Sequence, residues 1–97
     1  MNTGLCKLKL HLPENHSLKE KRRILKSITS RLRNQFNISI AEVGDYDLWQ
    51  SASIGISCVS NNNQHANEIL TKIMNYIALN YPELEIVDHD MEIIHGP

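Results

Sequence analysis

The sequence predicts an α+β fold in which two helices cover one face of a four-stranded antiparallel sheet. Three observations support this prediction. Apolar and polar residues alternate in several short segments, apolar residues recur at helical spacing in two longer segments, and a strand-like segment follows each helical one. With 97 residues, of which 41% are hydrophobic and 22% charged, we expect a single globular domain spanning residues 1–97.

The first strand and the first helix have the clearest patterns. "GLCKLKLHL" (residues 4–12) alternates, and the residues expected to face the core are Cys6, Leu8, Leu10 and Leu12. Ser17 and Glu20 then form a capping box, which starts a helix. The apolar stripe of this helix comprises Ile24, Leu25, Ile28, Leu32 and Phe36.

Four further segments complete the domain. "ISIAEV" (38–43) and "ASIGISCV" (52–59) are predicted strands joined by "GDYDLWQS" (44–51). Ser60 or Asn61 is expected to cap a second helix that ends at "NYPE" (80–83), and "LEIVDHDMEII" (84–94) is a last strand with poorer alternation. The order βαββαβ, with both helices on one face of the sheet, is ferredoxin-like.

Charge is distributed very unevenly along this chain. Residues 1–36 hold nine of the ten Lys and Arg residues and two acids, a net +7, whereas residues 37–97 hold one Lys and nine acids, a net −8. On a helical wheel, basic residues of the first helix form a stripe opposite its apolar face: Lys19, Arg22, Arg23, Lys26 and Arg33. We expect these five residues to contact the phosphates of a polyanion, the alternatives being a protein-docking surface and a solvated charged face.

Four segments of this chain resemble a known family. "SLKEKRR" (17–23), "FNISIAEV" (36–43), "DLWQSA" (47–52) and "CVSN" (58–61), in this order and spacing, are similar to the YlxP-like family of small bacterial proteins (domain of unknown function 503). The resemblance covers roughly residues 4–94 and implies a ferredoxin-like fold with no established catalytic residues. It also implies a role near ribosomal RNA or the small ribosomal subunit, because relatives are often encoded beside genes for ribosome maturation and translation initiation.

The outer sheet face and one loop offer other candidate surfaces. The two central strands carry no outward aromatic residue, which disfavours base stacking on the sheet. Ser53, Gly55 and Ser57 are small and permit either a sheet-mediated homodimer or a simply solvated face. Trp49, the one tryptophan, is expected either to anchor an interface or to fold back over a sheet edge, and the neighbouring Asp45 and Asp47 are expected to be solvated.

Several functional classes are disfavoured by the sequence. The connection "LPENHS" (12–17) lacks the Gly and Arg of an acylphosphatase loop, and no nucleophile elbow or phosphate-binding loop is present, so we expect no enzymatic activity and no cofactor. The histidines and the two cysteines lack metal-ligand spacing, so we expect no metal and read Cys6 and Cys58 as buried free thiols. Without a signal peptide or an apolar run of membrane-spanning length, the expected location is the cytoplasm.

Overall fold

The computed structural model describes all 97 residues and has the element order β-α-β-β-α-β. Its elements are β1 (Asn2–His11), α1 (Leu18–Gln35), β2 (Ser39–Gly44), β3 (Ser51–Ser60), α2 (Asn63–Asn80) and β4 (Glu85–His95). The strands form one antiparallel sheet in the order β2-β3-β1-β4. The ferredoxin-like prediction is therefore confirmed. Neither helix combines the length and hydropathy that a bilayer-spanning segment requires.

Strand β1 lies at the centre of the sheet and its alternation sets the two faces. Lys7 pairs with Gly55 on β3 and with Asp90 on β4, and all three point away from the helices. The inward residues are buried in one core with both helices, as the pattern predicted: Cys6, Leu8 and Leu10 from β1 and Ala52, Ile54 and Ile56 from β3. The other face of the sheet is consequently free of helices.

Both helices begin at side-chain caps. Ser17 Oγ accepts a hydrogen bond from the Glu20 backbone N–H at 3.1 Å, whereas the Glu20 carboxylate accepts from the N–H of His16, one residue before the cap. The predicted cap of α2 at Ser60 or Asn61 is wrong. Asn62 caps the helix by accepting from the His65 N–H at 2.7 Å, and the Ser60 hydroxyl accepts from the Asn62 N–H.

The poor alternation of the last strand has a structural cause. Ile86 pairs with Leu10, but Asp88 pairs with Lys9, so Val87 is an extra residue in a bulge. The bulge shifts the inward parity from even to odd numbers along β4, and Asp88, Asp90 and Glu92 consequently share the outer face with Lys7 and Lys9. A simple period-two pattern cannot describe such a strand.

A contact between the helices engages Arg31, an arginine of α1 that lies outside the basic stripe. Tyr81, buried at the end of α2, shares a 2.7 Å hydrogen bond between its hydroxyl and Ser27 Oγ on α1. The Arg31 guanidinium lies 5.6 Å from the centre of the same ring, within cation–π range. Arg31 is thus engaged by the fold, unlike the basic residues on the outer face of α1.

Candidate nucleic-acid interface

The basic stripe of α1 is exposed and carries uncompensated charge. Lys19, Arg22, Arg23 and Lys26 are all exposed, and none of their side chains donates a hydrogen bond within the chain. The ion pairs of the protein involve other basic residues, namely Lys9, His11 and Lys21, so no carboxylate lies within 4 Å of the four. No direct ion pair within the chain therefore neutralises these four side chains.

The two margins of the stripe differ. Arg33 is exposed, but its Nη2 donates to the Ile40 carbonyl of β2 at 3.1 Å, which directs this guanidinium along the β2 side of the helix. Arg23 lies on the opposite side, at a depression of about 90 Å³ that it shares with the carboxylates of Glu14, Glu20 and Glu83. The potential is therefore most positive along Lys19, Arg22, Lys26 and Arg33, and falls at Arg23.

Lys21 has a different role from its basic neighbours. Its side chain is only 1% exposed, and its Nζ lies 3.1 Å from Glu42 Oε2 on β2 and donates to the Asp45 carbonyl. Glu42 Oε2 accepts no well-aligned hydrogen bond, so the Lys21–Glu42 contact is ionic. Both partners compensate the charge of this cation near the N-terminus of α1.

The β2–β3 loop presents three large apolar side chains to solvent. Tyr46, Leu48 and Trp49 are each more than half exposed, and Trp49 is 54% exposed. About half of the Trp49 surface is therefore open to a partner, and the choice between an interface anchor and a cover over a sheet edge stays a prediction. Beside the loop is an open depression lined by both Leu48 and Trp49 and by His11 and His16 from the β1–α1 end of the molecule.

The polar side chains of Asn15 and Gln50 hold this loop in place. Asn15, 3% exposed, donates from Nδ2 to the Trp49 carbonyl at 2.6 Å and to the Ser17 carbonyl at 3.0 Å. The Gln50 amide donates to the carbonyls of Pro13 and Asn15, and the Leu12 N–H donates to the Gln50 carbonyl. One amide thus bridges the backbone of Trp49 to the residue that caps α1.

Asp45 turns the chain from β2 into the loop. Its φ of 57° lies in the left-handed region, which Asp tolerates better than most residues. Its carboxylate accepts hydrogen bonds from Ser51 at 2.9 Å and Ser53 at 3.2 Å, and lies 3.8 Å from Lys9 Nζ. The Ser51 hydrogen bond, with smaller help from Lys9, Ser53 and Lys21, lowers the pKa of Asp45 against the opposing effect of desolvation. Simple solvation of Asp45 is thus wrong, whereas Asp47 is exposed.

The outer sheet face is less open than the sequence indicates. Ser53 is only 4% exposed and donates to Asp45, so this candidate interface residue is not available to a partner. A Cβ on Gly55 would lie 2.8 Å from Val43 Cγ1, so the Val43 side chain already occupies that space. What remains is an open depression of about 430 Å³ beside Gly55 and Ser57, edged by Lys7, Asp90 and Glu92.

The two cysteines are buried and free on the core side of neighbouring strands. Cys6 pairs with Ile56 and Cys58 with Gly4, so the thiols occupy diagonal positions on β1 and β3. Burial, and secondarily the Asp90 carboxylate, raises the pKa of the Cys6 thiol above 9.0. This fits their interpretation as small hydrophobic side chains.

Comparison with known proteins identifies the family. Residues 3–91 match the family model described as "Protein of unknown function (DUF503)". The chain belongs to this family. A curated relative, "Uncharacterized protein YlxP" of Bacillus subtilis (strain 168), is 44% identical over 69 residues, which cover 71% of this chain and 74% of the relative.

The fold of this DUF503 protein also has a structural counterpart among designed proteins. A de novo designed protein with ferredoxin fold, solved by solution NMR, aligns with a TM-score of 0.57 at 13% identity and covers 99% of this chain and 88% of its own. At this identity the likeness concerns the fold alone. The family resemblance seen in the sequence segments is confirmed, and so is the ferredoxin-like architecture.

Sequence reasoning missed Lys21 and Asn15 as the residues that place the loop. For Lys21 a signal was present: it lies two turns before Ile28, at roughly 20° from the centre of the apolar stripe. A cation at that position must be buried or must distort the helix packing. For Asn15 the sequence offers no signal, because its partner is a backbone carbonyl distant in the chain.

Proposed function

We propose that this protein is a small non-enzymatic RNA-binding protein of the bacterial cytoplasm, and that it associates with ribosomal RNA or the small ribosomal subunit during ribosome maturation. The proposed contacts are between RNA phosphates and the basic stripe of α1. They involve Lys19, Arg22, Lys26 and Arg33, with Arg23 at the acidic margin contributing least.

The observation that carries this proposal is the contrast among the basic residues of one helix. Lys21 is compensated by Glu42 and the Asp45 carbonyl, and Arg31 stacks on Tyr81. Lys19, Arg22, Arg23 and Lys26, which share no such contact, form a like-charged surface that the fold itself does not require. A polyanion would supply the missing counter-charge.

The position of these cations on the helix supports the same ligand class. Lys19 lies in the first turn of α1, where the helix dipole is positive and disfavours a further cation. A phosphate near this end would be attracted by both the dipole and the side chains. Contacts of this type are made to the backbone of a nucleic acid, so we expect weak dependence on RNA sequence.

A second candidate function is a protein-interaction module with no direct RNA binding. One observation favours it: exposed Trp49 and Tyr46 are residue types that frequently anchor protein interfaces. In that case the basic helix would dock on an acidic partner protein or on the acidic β4 of a second copy. Nuclease treatment separates the two functions, because RNA-dependent association disappears when the RNA is digested.

The test is co-sedimentation with ribosomal subunits from bacterial lysate at low and moderate salt. The wild type is compared with the quadruple variant Lys19→Gln, Arg22→Gln, Arg23→Gln, Lys26→Gln. The matched control is Lys7→Glu, Lys72→Glu, which changes the net charge by the same amount but on the outer sheet face and on α2.

The proposal expects the wild type and the control to travel with a subunit and the quadruple variant to stay at the top of the gradient. Loss of binding in both variants would show that binding depends on the net charge of the protein and not on the basic stripe. If the wild type itself does not associate, or associates equally after nuclease treatment, the RNA proposal is contradicted.

A further inference from the structure

The β2–β3 loop is organised before any ligand binds. It exposes Tyr46, Leu48 and Trp49, yet its backbone is held from inside by Asn15 and by Lys21, both nearly inaccessible to solvent. Burying an amide and an ammonium group is costly unless each finds partners. Here the Asn15 Nδ2 and Lys21 Nζ donors bond to carbonyls of this loop and of the helix cap, whereas Asn15 Oδ1 has no hydrogen-bond partner within the chain. A ligand that binds to the loop therefore meets apolar side chains on a backbone that is already ordered. Binding then costs little additional conformational free energy.

The loop is tied to the N-terminal end of the helix that carries the basic stripe, and the depression beside Trp49 also includes His11, which pairs with Glu85 of β4. Asn15 links the Trp49 carbonyl to the Ser17 carbonyl, two residues before Lys19. Arg33 contacts β2 through the Ile40 carbonyl. Arg22 lies within roughly 20° of Arg33 on the helical wheel, so both project toward the β2 side of α1.

Cations therefore continue from the loop along this side of the helix. From Lys19 to Arg33 the helix rises about 21 Å, which gives a positively charged track that begins two residues after Ser17, the helix cap to which Asn15 ties the Trp49 backbone. Within the loop, the Asp45 carboxylate is bonded internally, and Asp47 is its one free acid.

We propose that Trp49 stacks on an unpaired base of single-stranded RNA whose phosphates continue along Lys19, Arg22 and Lys26. This inference rests on the function proposed above and specifies its ligand. An aromatic face beside a positively charged track is the combination that binds single strands, because every base has a face to stack and every nucleotide a phosphate to neutralise. In a duplex the bases are already stacked and out of reach of Trp49, so the single strand is the preferred form.

The sheet, where ferredoxin-like RNA-binding domains carry their stacking aromatics, has none on its outer face in this protein. The loop supplies the missing aromatic surface at one end of the sheet. Tyr46 offers a second ring in the same loop, and Leu48 lines the depression beside Trp49.

The experiment uses Trp49 as its own probe, because it is the one tryptophan in the chain. Tryptophan fluorescence is recorded while oligouridine, an RNA duplex of the same length, or polyglutamate is added to the wild type. Affinities of Trp49→Ala, Trp49→Phe and the control Leu79→Ala for labelled oligouridine are measured by anisotropy. Leu79 is 81% exposed on α2 and tests whether any exposed apolar side chain would do.

The inference expects oligouridine to quench Trp49 and to bind more tightly than the duplex. Trp49→Ala should weaken oligouridine binding by roughly 5- to 150-fold, the range found for one base–aromatic stack. Trp49→Phe should retain most of the affinity, Leu79→Ala all of it, and the salt dependence of Trp49→Ala should match that of the wild type.

Failure of this inference is distinguishable from failure of the proposed function. If oligouridine binds with strong salt dependence but Trp49→Ala binds equally well and fluorescence is unchanged, the phosphate contacts stand and the stacking inference falls. Equal quenching by polyglutamate, which has charge but no bases, would indicate an acidic protein ligand and contradict stacking. If no RNA binds at any salt concentration, both proposals fall together.

Discussion

Lys21 and Glu42 connect the first helix to the edge strand β2, with Nζ and Oε2 3.1 Å apart and the Lys21 side chain almost wholly inaccessible. The same ammonium group donates to the Asp45 carbonyl, where the chain turns into the β2–β3 loop. Asn15 makes the corresponding link between the helix cap and Trp49. These contacts join two of the segments that carry the family resemblance, 17–23 and 47–52, through the residues beside or within them.

Replacing Lys21 by Ala is expected to lower the free energy of unfolding by about 3 kcal/mol, the low end for breaking a buried ion pair, because Glu42 is partly open to water. The control is Lys26→Ala, a solvent-exposed cation one turn further on, which should change stability by less than about 0.5 kcal/mol. Urea denaturation measures both. Equal midpoints for the two variants would show that the Lys21 contacts do not contribute to stability.

Removing the first-turn cation at Lys19 should have the opposite effect on stability. Lys19→Gln relieves an unfavourable interaction with the helix dipole and with nearby cations, and we expect a gain of about 0.3–1 kcal/mol. The same substitution should weaken RNA binding, as expected for a residue retained for binding rather than for folding. Thermal unfolding of this variant tests the expected gain in stability, and RNA titration tests the expected loss of affinity. A lower stability than the wild type would contradict the unfavourable helix-dipole interaction of Lys19.

Asp45 should make stability depend on acid. Because its pKa is lowered in the folded state from 3.8, its contribution is fully present above pH 3.8 and is lost as the pH falls through the lower, folded value. Asp45→Asn keeps a side chain that tolerates the left-handed backbone but removes the charge. We expect Asp45→Asn to be less stable than the wild type at neutral pH, with the difference narrowing well below pH 3.8.

The matched control for this prediction is Asp47→Asn, two residues further along the same loop and free of hydrogen bonds to serines. It should follow the wild-type curve of urea midpoint against pH. If both variants behave alike, the effect belongs to the net charge of the loop and not to the bonded carboxylate.

The cysteines should react slowly in the native protein. Cys6 and Cys58 are buried, and the raised pKa of Cys6 keeps it in the unreactive thiol form at neutral pH. A thiol reagent should label both rapidly in denaturant and at a rate limited by opening of the structure without it. Rapid labelling of either cysteine in the native protein would contradict this description of the core.

The sequence predicts the fold well where one physical rule acts alone. Alternation in β1 and the Ser17 cap set the first half of the domain correctly. Sequence-based prediction fails where a tertiary contact changes the rule. The bulge at Val87 shifts which residues of β4 face the core. Asn62 caps α2 while its own N–H donates to the Ser60 hydroxyl.

The candidate site follows the same division. Exposure of Lys19, Arg22, Arg23 and Lys26 could be predicted from helical periodicity, because it depends on a single element. The burial of Ser53 could not be predicted in this way, because it involves a contact with Asp45 of the β2–β3 loop. The exposure of Trp49 could not be predicted either, because Asn15, from another part of the chain, positions its loop.

The central claim is that α1 binds RNA through phosphates, and the salt dependence of binding tests it most directly. The affinity for oligouridine is titrated over a range of salt concentrations for the wild type, the quadruple Gln variant and the charge-matched control. Five phosphate contacts with a single strand predict a log–log slope of about −3.5 for the wild type and the control, and the one remaining contact, at Arg33, predicts about −0.7 for the quadruple variant. A single slope shared by all three proteins, or a wild-type slope near zero, would contradict the claim.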